Sequence, residues 1–315
     1  MSNSKKNRHL IPGYLKDSDA LIRILLSLQD LPPHAKIFTC DATAMYTNID
    51  IDHLLWVVDD WLRLHDSKLP PLFPVATILE ALKLVMKHNI FHFGDTWWMQ
   101  KIGTAMGTPC ACIIATIYFA HYEKFTLLPK YNSHLQHYFR FIDDGFGIWT
   151  PPTDPVSPID PNSSFSEIND SNNIFEEFKK DLNKFGLLRW TVEELSNEIV
   201  YLDLIIKIDK GRFTFKTYQK DLNLYLYIPP HSAHPPGVQK SLVFGCLLKY
   251  WKQNSNTDDF VQITKLFFKR LQDRGHTTEN LRILFMESTK KLPPKHALRI
   301  LNISLPKMMM MMPQS

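Results

Sequence analysis

The stretch HYFRFIDDGFGIW, residues 137–149, decides the fold of this 315-residue chain. Two runs of strand-forming aromatic and branched residues, 137–141 and 146–149, flank Asp143-Asp144-Gly145, and this arrangement predicts a buried antiparallel hairpin. Asp-Gly is a common turn dipeptide, so Asp144-Gly145 needs no chemical explanation by itself. A second acid directly before it does need one, because adjacent anions repel each other unless a cation lies between them.

Two further Asp-Asp pairs have structural explanations. Asp59-Asp60 lies on the polar side of an amphipathic helix pattern at residues 52–64, where a solvated face is expected. Asp258-Asp259 follows a polar run at a predicted helix start, where acids complement the helix dipole. Only Asp143-Asp144 is therefore a candidate for chemistry.

A third acid, Asp41, ends a short β-type run at residues 36–40, and Tyr46 follows it by five positions. If this strand end lies beside the hairpin tip, the carboxylates of Asp41, Asp143 and Asp144 converge. Hard oxygen ligands with room for water and phosphate suit Mg²⁺. Two such ions about 3.5–4 Å apart can clamp the attacking and leaving oxygens of a displacement at phosphorus. The three acids are thus candidate catalytic and metal-binding residues.

The rest of the chain alternates helix and strand patterns. Residues 75–88 have helical spacing, and Gly94-Asp95 between two short apolar runs is a hairpin signal. The order Gly107-Thr108-Pro109 predicts a capped helix over residues 109–125. Helix patterns return at 174–185 and, beyond Gly237, at 238–251, 260–271 and 278–286. The chain is therefore expected to be an α+β body followed by a helical C-terminal region.

Composition sets the expected domain limits. Residues 151–173 are almost all Pro, Ser, Asp and Asn, which predicts an exposed or disordered insert. The net charge is only +4, yet residues 237–300 hold twelve Lys and Arg against five Asp and Glu. Such a basic segment suits a phosphate backbone, although solvated helix faces would have the same composition. The predicted division is an N-terminal segment 1–35, a body 36–220, a basic helical region 221–300 and a tail 301–315.

Several classes of protein are disfavoured. The longest strongly apolar stretch, residues 110–120, is shorter than the roughly 20 residues that a spanning helix needs. The start MSNSKKNRHL lacks the apolar core of a signal peptide, and four scattered Cys do not form a disulfide framework. Cys110 and Cys112 would point to different faces of a helix, which favours core packing over a zinc site. We expect an intracellular protein with no membrane association.

Four blocks in this order resemble the reverse transcriptase domain of retroelements, most closely the Penelope-like group related to telomerase. FTCDATAMYTNID, residues 38–50, is similar to the first palm motif of the family. KIGTAMGTPCACIIA, residues 101–115, is similar to its glycine-rich template and nucleotide motif, and residues 137–149 to its aromatic-x-Asp-Asp hairpin. Residues 175–208 resemble the primer-grip blocks, and the following KTYQKDLNLYLYIPPHSAHPP resembles a Penelope-like run. The resemblance covers residues 36–252.

This resemblance implies a right-hand polymerase palm, an antiparallel sheet with helices on one face, plus a helical thumb. It assigns Asp41, Asp143 and Asp144 as catalytic ligands of two Mg²⁺ ions, with Mn²⁺ as an alternative. Tyr46 would lie under the sugar of the nucleotide and exclude a 2′-hydroxyl; its alternative is a core aromatic. The other implied nucleotide-binding residues are Ala42, through its carbonyl, and Gly107, Thr108 and Pro109.

The implied activity is that of an RNA-directed DNA polymerase, a reverse transcriptase that adds a dNTP to a DNA primer on an RNA template, with a nuclear location. Only 40 residues precede Asp41, so a copy truncated at the fingers is expected. A decayed, non-catalytic retroelement-derived protein that binds nucleic acid is therefore the alternative. A metal-dependent nuclease with the same acids is disfavoured, because it would leave the glycine motif and the primer-grip blocks unexplained.

Overall fold

The computed structural model of the protein describes residues 10–28, 31–32, 34–150 and 164–293, with only the backbone for 164–172. The chain divides into two compact units. The first contains the described residues up to Asp17 and those from Leu31 to Asn197; the second contains the remaining described residues, including everything from Glu198 onward. The division at residues 197/198 lies earlier than the expected limit at 220/221.

The α-helices and β-strands are interspersed along the described chain, and it ends with four successive strands and three successive helices. The helices are α1 (Ser18–Ser27), α2 (Ile51–Leu64), α3 (Val75–Lys87), α4 (Ala111–Tyr122), α5 (Leu128–Lys130), α6 (Ser164–Leu182), α7 (Val238–Gln253), α8 (Thr257–Asp273) and α9 (Thr278–Thr289). The strands are β1 (Lys36–Ala42), β2 (Ile90–Phe93), β3 (Thr96–Met99), β4 (Leu135–Phe141), β5 (Asp144–Trp149), β6 (Trp190–Val192), β7 (Glu198–Tyr201), β8 (Leu204–Asp209) and β9 (Arg212–Thr217). This is an α+β fold, as the sequence predicts. No helix in the described ranges is long and apolar enough to cross a membrane.

The core of the first unit lies between a four-stranded antiparallel sheet and three helices. The strand order is β4-β5-β1-β6. Successive side chains of a strand point to opposite faces, and Phe38, Cys40 and Ala42 of β1 are buried in one cluster with residues of α2, α4 and α6. The Phe38 ring makes an edge contact with Phe178 at 5.4 Å between centroids. The expected sheet with helices on one face is therefore present.

The first unit also contains a separate two-stranded sheet, β2 paired with β3. Every residue of both strands is exposed. The Gly94-Asp95 hairpin signal is confirmed, but the hairpin buries neither of its faces.

The second unit joins the three-stranded sheet β7-β8-β9 to helices α7, α8 and α9. The helices share a core that includes Leu247, Phe267 and Phe285, all fully buried. The backbone N–H of Phe215 in β9 donates to Ser255 Oγ at 2.9 Å, and that of Thr217 to Asn254 Oδ1 at 3.1 Å. These bonds tie the sheet to the C-terminal helices, which is why the unit begins before residue 220.

Two predicted limits were wrong. Helix α6 begins at Ser164, so residues 164–173 are helical rather than part of a loop, and the rest of the expected insert, 151–163, lies outside the described residues. Helix α4 begins at Ala111, and its N-cap Cys110 makes no side-chain capping bond. Thr108 therefore does not cap the helix, although its carbonyl accepts the N–H of Ala111 at 2.9 Å.

Candidate active site

The backbone register brings the three candidate acids to one end of the first unit's sheet. Strands β1 and β5 pair so that Asp41 lies directly opposite Asp144. The N–H of Ala42 donates to the carbonyl of Asp143 at 3.0 Å, which joins the strand end to the hairpin turn. The hundred residues between Asp41 and the Asp-Asp pair therefore do not separate them in space.

Asp41 and Asp144 lie on the sheet face opposite the helices. Directly paired residues of adjacent strands share a face, and Asp41 alternates with the core residues Cys40 and Ala42. Asp41 is exposed and Asp144 is partly exposed. Thr191, opposite Asp41 on β6, donates its hydroxyl to the Asp41 carbonyl at 3.3 Å. Two carboxylates thus stand side by side on an accessible surface.

At the hairpin tip the ionised form of Asp143 is disfavoured. The pKa of Asp143 is raised, first because the carboxyl is partly buried and then because of the negative charge of Asp41, while Arg140 opposes the shift. Within the described ranges, no group of three or more His, Cys, Asp or Glu side chains has the arrangement of a metal site. The expected three-carboxylate ligand set is not preformed, and metal binding by Asp41, Asp143 and Asp144 stays a prediction.

The turn of the hairpin differs from the expected Asp-Gly turn. It is made by Ile142 and Asp143, and Ile142 has a φ of +54°, an unfavourable conformation for a β-branched residue. Gly145 lies inside β5, where a Cβ atom would overlap Cys40 Sγ. This glycine is required for packing under the acids rather than for turning the chain.

A buried arginine holds this turn from below. Arg140 Nη1 donates to the carbonyl of Ile142 at 2.5 Å, and Nη2 donates to the carbonyl of Thr116 at 2.9 Å. Its Nε and Nη2 also bind the two carboxylate oxygens of Glu123 at 2.6 and 2.9 Å. Arg140 and Glu123 are 2% and 0% exposed. Sequence reasoning missed this pair; the only available signal was Arg140 as the single charge in an aromatic strand, since Glu123 is followed by Lys124.

Tyr46 lies beside the acids, in the short turn Met45–Thr47. Its partly buried hydroxyl donates to Cys112 Sγ at 3.2 Å. The pKa of Tyr46 is raised by burial, by the hydrogen bond to Cys112 and, more weakly, by the negative charge of Asp143. Cys112 is exposed, so its expected place in the core was wrong, whereas Cys110 packs against the core.

The glycine-rich loop is anchored to the Tyr46 turn by residues that sequence reasoning did not select. The N–H of Gly103 donates to the Ile49 carbonyl at 2.8 Å, and that of Thr104 to the Tyr46 carbonyl at 2.6 Å. A Cβ atom on Gly103, whose φ is +79°, would overlap the backbone of Tyr46 and Thr47. No signal distinguished this glycine from the exposed Gly107, which has open space around it.

Several cations of the basic C-terminal region are neutralised within the second unit. Lys240 pairs with Glu287 and Lys249 with Asp203, both at 2.6 Å, and Lys252 with Asp19 at 3.2 Å. Two others, Lys295 and Arg299, lie outside the described residues. The excess of Lys and Arg in the sequence therefore overstates the charge available to a phosphate backbone.

The fold defines the class: this is a polymerase-like α+β fold. The chain is similar to telomerase from Candida albicans, solved in complex with the TWJ fragment of telomeric RNA, with a TM-score of 0.52 and 11% identity over 94% of this chain and 52% of that chain. At this identity the likeness shows the fold alone.

Two other solved structures have lower scores and add nothing to the assignment. Apo telomerase from Candida tropicalis has a TM-score of 0.48 at 13% identity, covering 90% of this chain and 50% of that one. The Sicinivirus 3Dpol RNA-dependent RNA polymerase has 0.46 at 11% identity, covering 89% and 57%. The chain thus spans about half the length of these proteins. No family model and no curated protein matches the sequence, and the Penelope-like and retroelement assignments stay predictions.

Proposed function

We propose that this chain is an RNA-directed DNA polymerase, which joins a dNTP to the 3′-hydroxyl of a DNA primer along an RNA template. The observation that carries the proposal is the cross-strand register that places Asp41 opposite Asp144, with Asp143 in the adjoining turn. The similar Candida albicans telomerase was solved with a fragment of telomeric RNA, which supports nucleic-acid binding by this chain. The nuclear location remains an expectation.

The carboxylates suit Mg²⁺ that arrives with a nucleotide. Mg²⁺ keeps several waters and is usually bound by one or two carboxylates plus substrate phosphates, so a complete protein cage is not required. Asp41 and Asp144 offer two adjacent carboxylates at the accessible end of their sheet face, and Asp143 a third from the turn. Two bound Mg²⁺ ions, or Mn²⁺, would supply charge neutralisation at the phosphate. A cation between the acids would relieve the repulsion of Asp41, which after burial is the other cause of the raised pKa of Asp143.

The remaining residues orient the nucleotide. Tyr46 would lie under the sugar, and its ring would exclude a 2′-hydroxyl. The open space at Gly107, beside Thr108 and Pro109, leaves room for a base pair to approach the backbone. The hydrogen bond from the Ala42 N–H to the Asp143 carbonyl fixes Ala42 beside the acids, and its carbonyl oxygen is the atom that would contact the metal bound with the nucleotide. Catalysis of this kind depends on position and charge rather than on a protein nucleophile.

Primer extension on an RNA template tests the proposal. We compare the wild-type chain with Asp41→Asn and Asp144→Asn, which keep the side-chain shape and remove the charge. Each is expected to lose extension by about 100-fold or more, since the removed charge acts directly on the transition state. Asp66→Asn is the matched control, because Asp66 is an exposed aspartate of the first unit outside the site.

Three results would contradict the proposal. Equal extension by the wild type and Asp144→Asn would remove the acids from catalysis. Shortening of the primer would indicate a nuclease with the same carboxylates. Salt-sensitive binding of nucleic acid by a wild-type chain that never extends the primer would favour the non-catalytic alternative.

A further inference from the structure

The β2–β3 ribbon, residues Ile90–Phe93 and Thr96–Met99, exposes apolar side chains on both of its faces. The pairs Ile90–Met99 and His92–Trp97 lie on one face, and Phe91–Trp98 and Phe93–Thr96 on the other. Phe93 and Trp97 are 76% and 73% exposed, and Phe91 and Trp98 more than half exposed. A hairpin of two strands is marginally stable in water by itself. A surface this apolar marks an interaction site.

The ribbon offers planar rings rather than a smooth aliphatic surface. Four of its eight residues are Phe or Trp, and the His92 and Trp97 rings lie 4.8 Å apart between centroids. Every nucleobase has a π-face, so exposed aromatic rings bind single strands by stacking without reading the sequence.

One cation next to the ribbon is available to a phosphate group. Lys101 is exposed two residues beyond β3, and its Nζ donates to Met99 Sδ at 3.3 Å. Lys83 and Lys87 on the preceding helix are balanced by Glu80 and Asp52. The only acid in residues 88–101 is Asp95, at the turn of the ribbon.

The ribbon is continuous with the loop that reaches the candidate site. The N–H of Gln100 donates to the Asn89 carbonyl at 2.8 Å, and its side-chain amide donates to the Ile102 carbonyl at 2.9 Å. The next two residues are Gly103 and Thr104, whose N–H groups bind the backbone of Ile49 and Tyr46. A nucleic-acid strand bound to the ribbon would therefore lie close to the proposed nucleotide pocket.

We propose that the β2–β3 ribbon is a stacking platform for single-stranded nucleic acid, the unpaired template in front of the site. Trp97 and Trp98 each present a stacking surface for an unpaired base, one on each face of the ribbon, and Lys101 contacts a phosphate. This inference rests on the proposed function, because a template is the single strand that a polymerase must hold beside its nucleotide site.

The test is the affinity of the full chain for a fluorescent single-stranded RNA oligonucleotide, with the Trp97→Ala/Trp98→Ala variant against the wild type. Both side chains are exposed, so their removal leaves the core intact, and thermal unfolding checks this. Binding is expected to weaken about 10- to 100-fold, from the size of base–aromatic stacking. The quenching of tryptophan fluorescence by the RNA should shrink in the same variant. Trp56→Ala is the matched control, since Trp56 is also exposed in the first unit but lies on α2.

Equal affinity of the wild type and the double variant would overturn the proposal. A shift of the double variant from dimer to monomer, with unchanged RNA affinity, would also overturn it and assign the ribbon to a second copy of the chain. The RNA affinity is also measured in the Asp144→Asn variant, because binding of RNA does not require primer extension. A failure of the polymerase proposal therefore leaves the binding result intact, and a failure of the ribbon proposal leaves primer extension intact.

Discussion

Removal of the Glu123 charge tests whether the buried Arg140–Glu123 pair supports the Asp-Asp turn. Glu123→Gln keeps the shape of the side chain but leaves the Arg140 guanidinium in the core without its counter-ion. Breaking a buried pair in this way costs about 3–5 kcal/mol, because the remaining charge is desolvated and unpaired. Whole domains have stabilities of about 5–15 kcal/mol, so this is a large fraction.

The loss is measured by thermal unfolding followed by circular dichroism. For a unit of this size each kcal/mol lowers the Tm by about 2–4 °C, so a decrease of about 6–20 °C is expected. Asp59→Asn is the control, because the Asp59–Arg63 pair is exposed to solvent, where its attraction is screened, and its loss should hardly change the Tm.

A double variant separates stability from positioning. Glu123→Leu/Arg140→Met removes both charges, and apolar residues in place of a buried ion pair are often tolerated. The Tm of this double variant should return most of the way to the wild-type value. Its primer extension should be below that of the wild type, because no side chain binds the Ile142 carbonyl. A Glu123→Gln Tm within 2 °C of the wild type would refute the energetic argument. Full extension by the double variant would refute the positioning role.

Two further predictions concern Tyr46 and Asp143. Tyr46→Ala should raise the incorporation of ribonucleotides relative to deoxyribonucleotides. Tyr46→Phe loses only the hydrogen bond to Cys112 and should keep the discrimination. Equal selectivity of the wild type and Tyr46→Ala would contradict the steric role. For Asp143, the raised pKa means that the folded state binds a proton more tightly than the unfolded state, so stability falls as the pH rises through that interval. In metal-free buffer Asp143→Asn should therefore be more stable than the wild type at pH 7 and lose this advantage below about pH 4. The measurement is the Tm of both proteins as a function of pH. A Tm difference that is the same at all pH values would exclude the titration of Asp143 as the cause.

Local patterns in the sequence were enough to predict most helices and strands and the overall fold class. Alternating aromatic residues predicted β4 and β5, helical spacing predicted α2 and α7–α9, and the apolar run before Asp41 predicted β1. These patterns can be recognised in the sequence because they arise from backbone preference and from the partition of side chains between water and a core. Both effects act over a few residues. The order of four motifs led to a polymerase fold, which the structure supports.

Contacts between residues that are distant in the sequence became visible only in the folded chain. Arg140 and Glu123 are 17 positions apart, and nothing in the sequence pairs them. Their burial depends on how β4 packs against α4 and the helical turn Glu123–Leu127 that follows it. In the sequence Gly145 looks like a turn glycine, but in the fold Cys40 of β1 lies against it. Gly103 looks like Gly107 in the sequence, but in the fold it lies against the backbone of Tyr46. A one-dimensional pattern carries no information on these contacts, because each partner's environment is fixed by an element folded elsewhere in the chain.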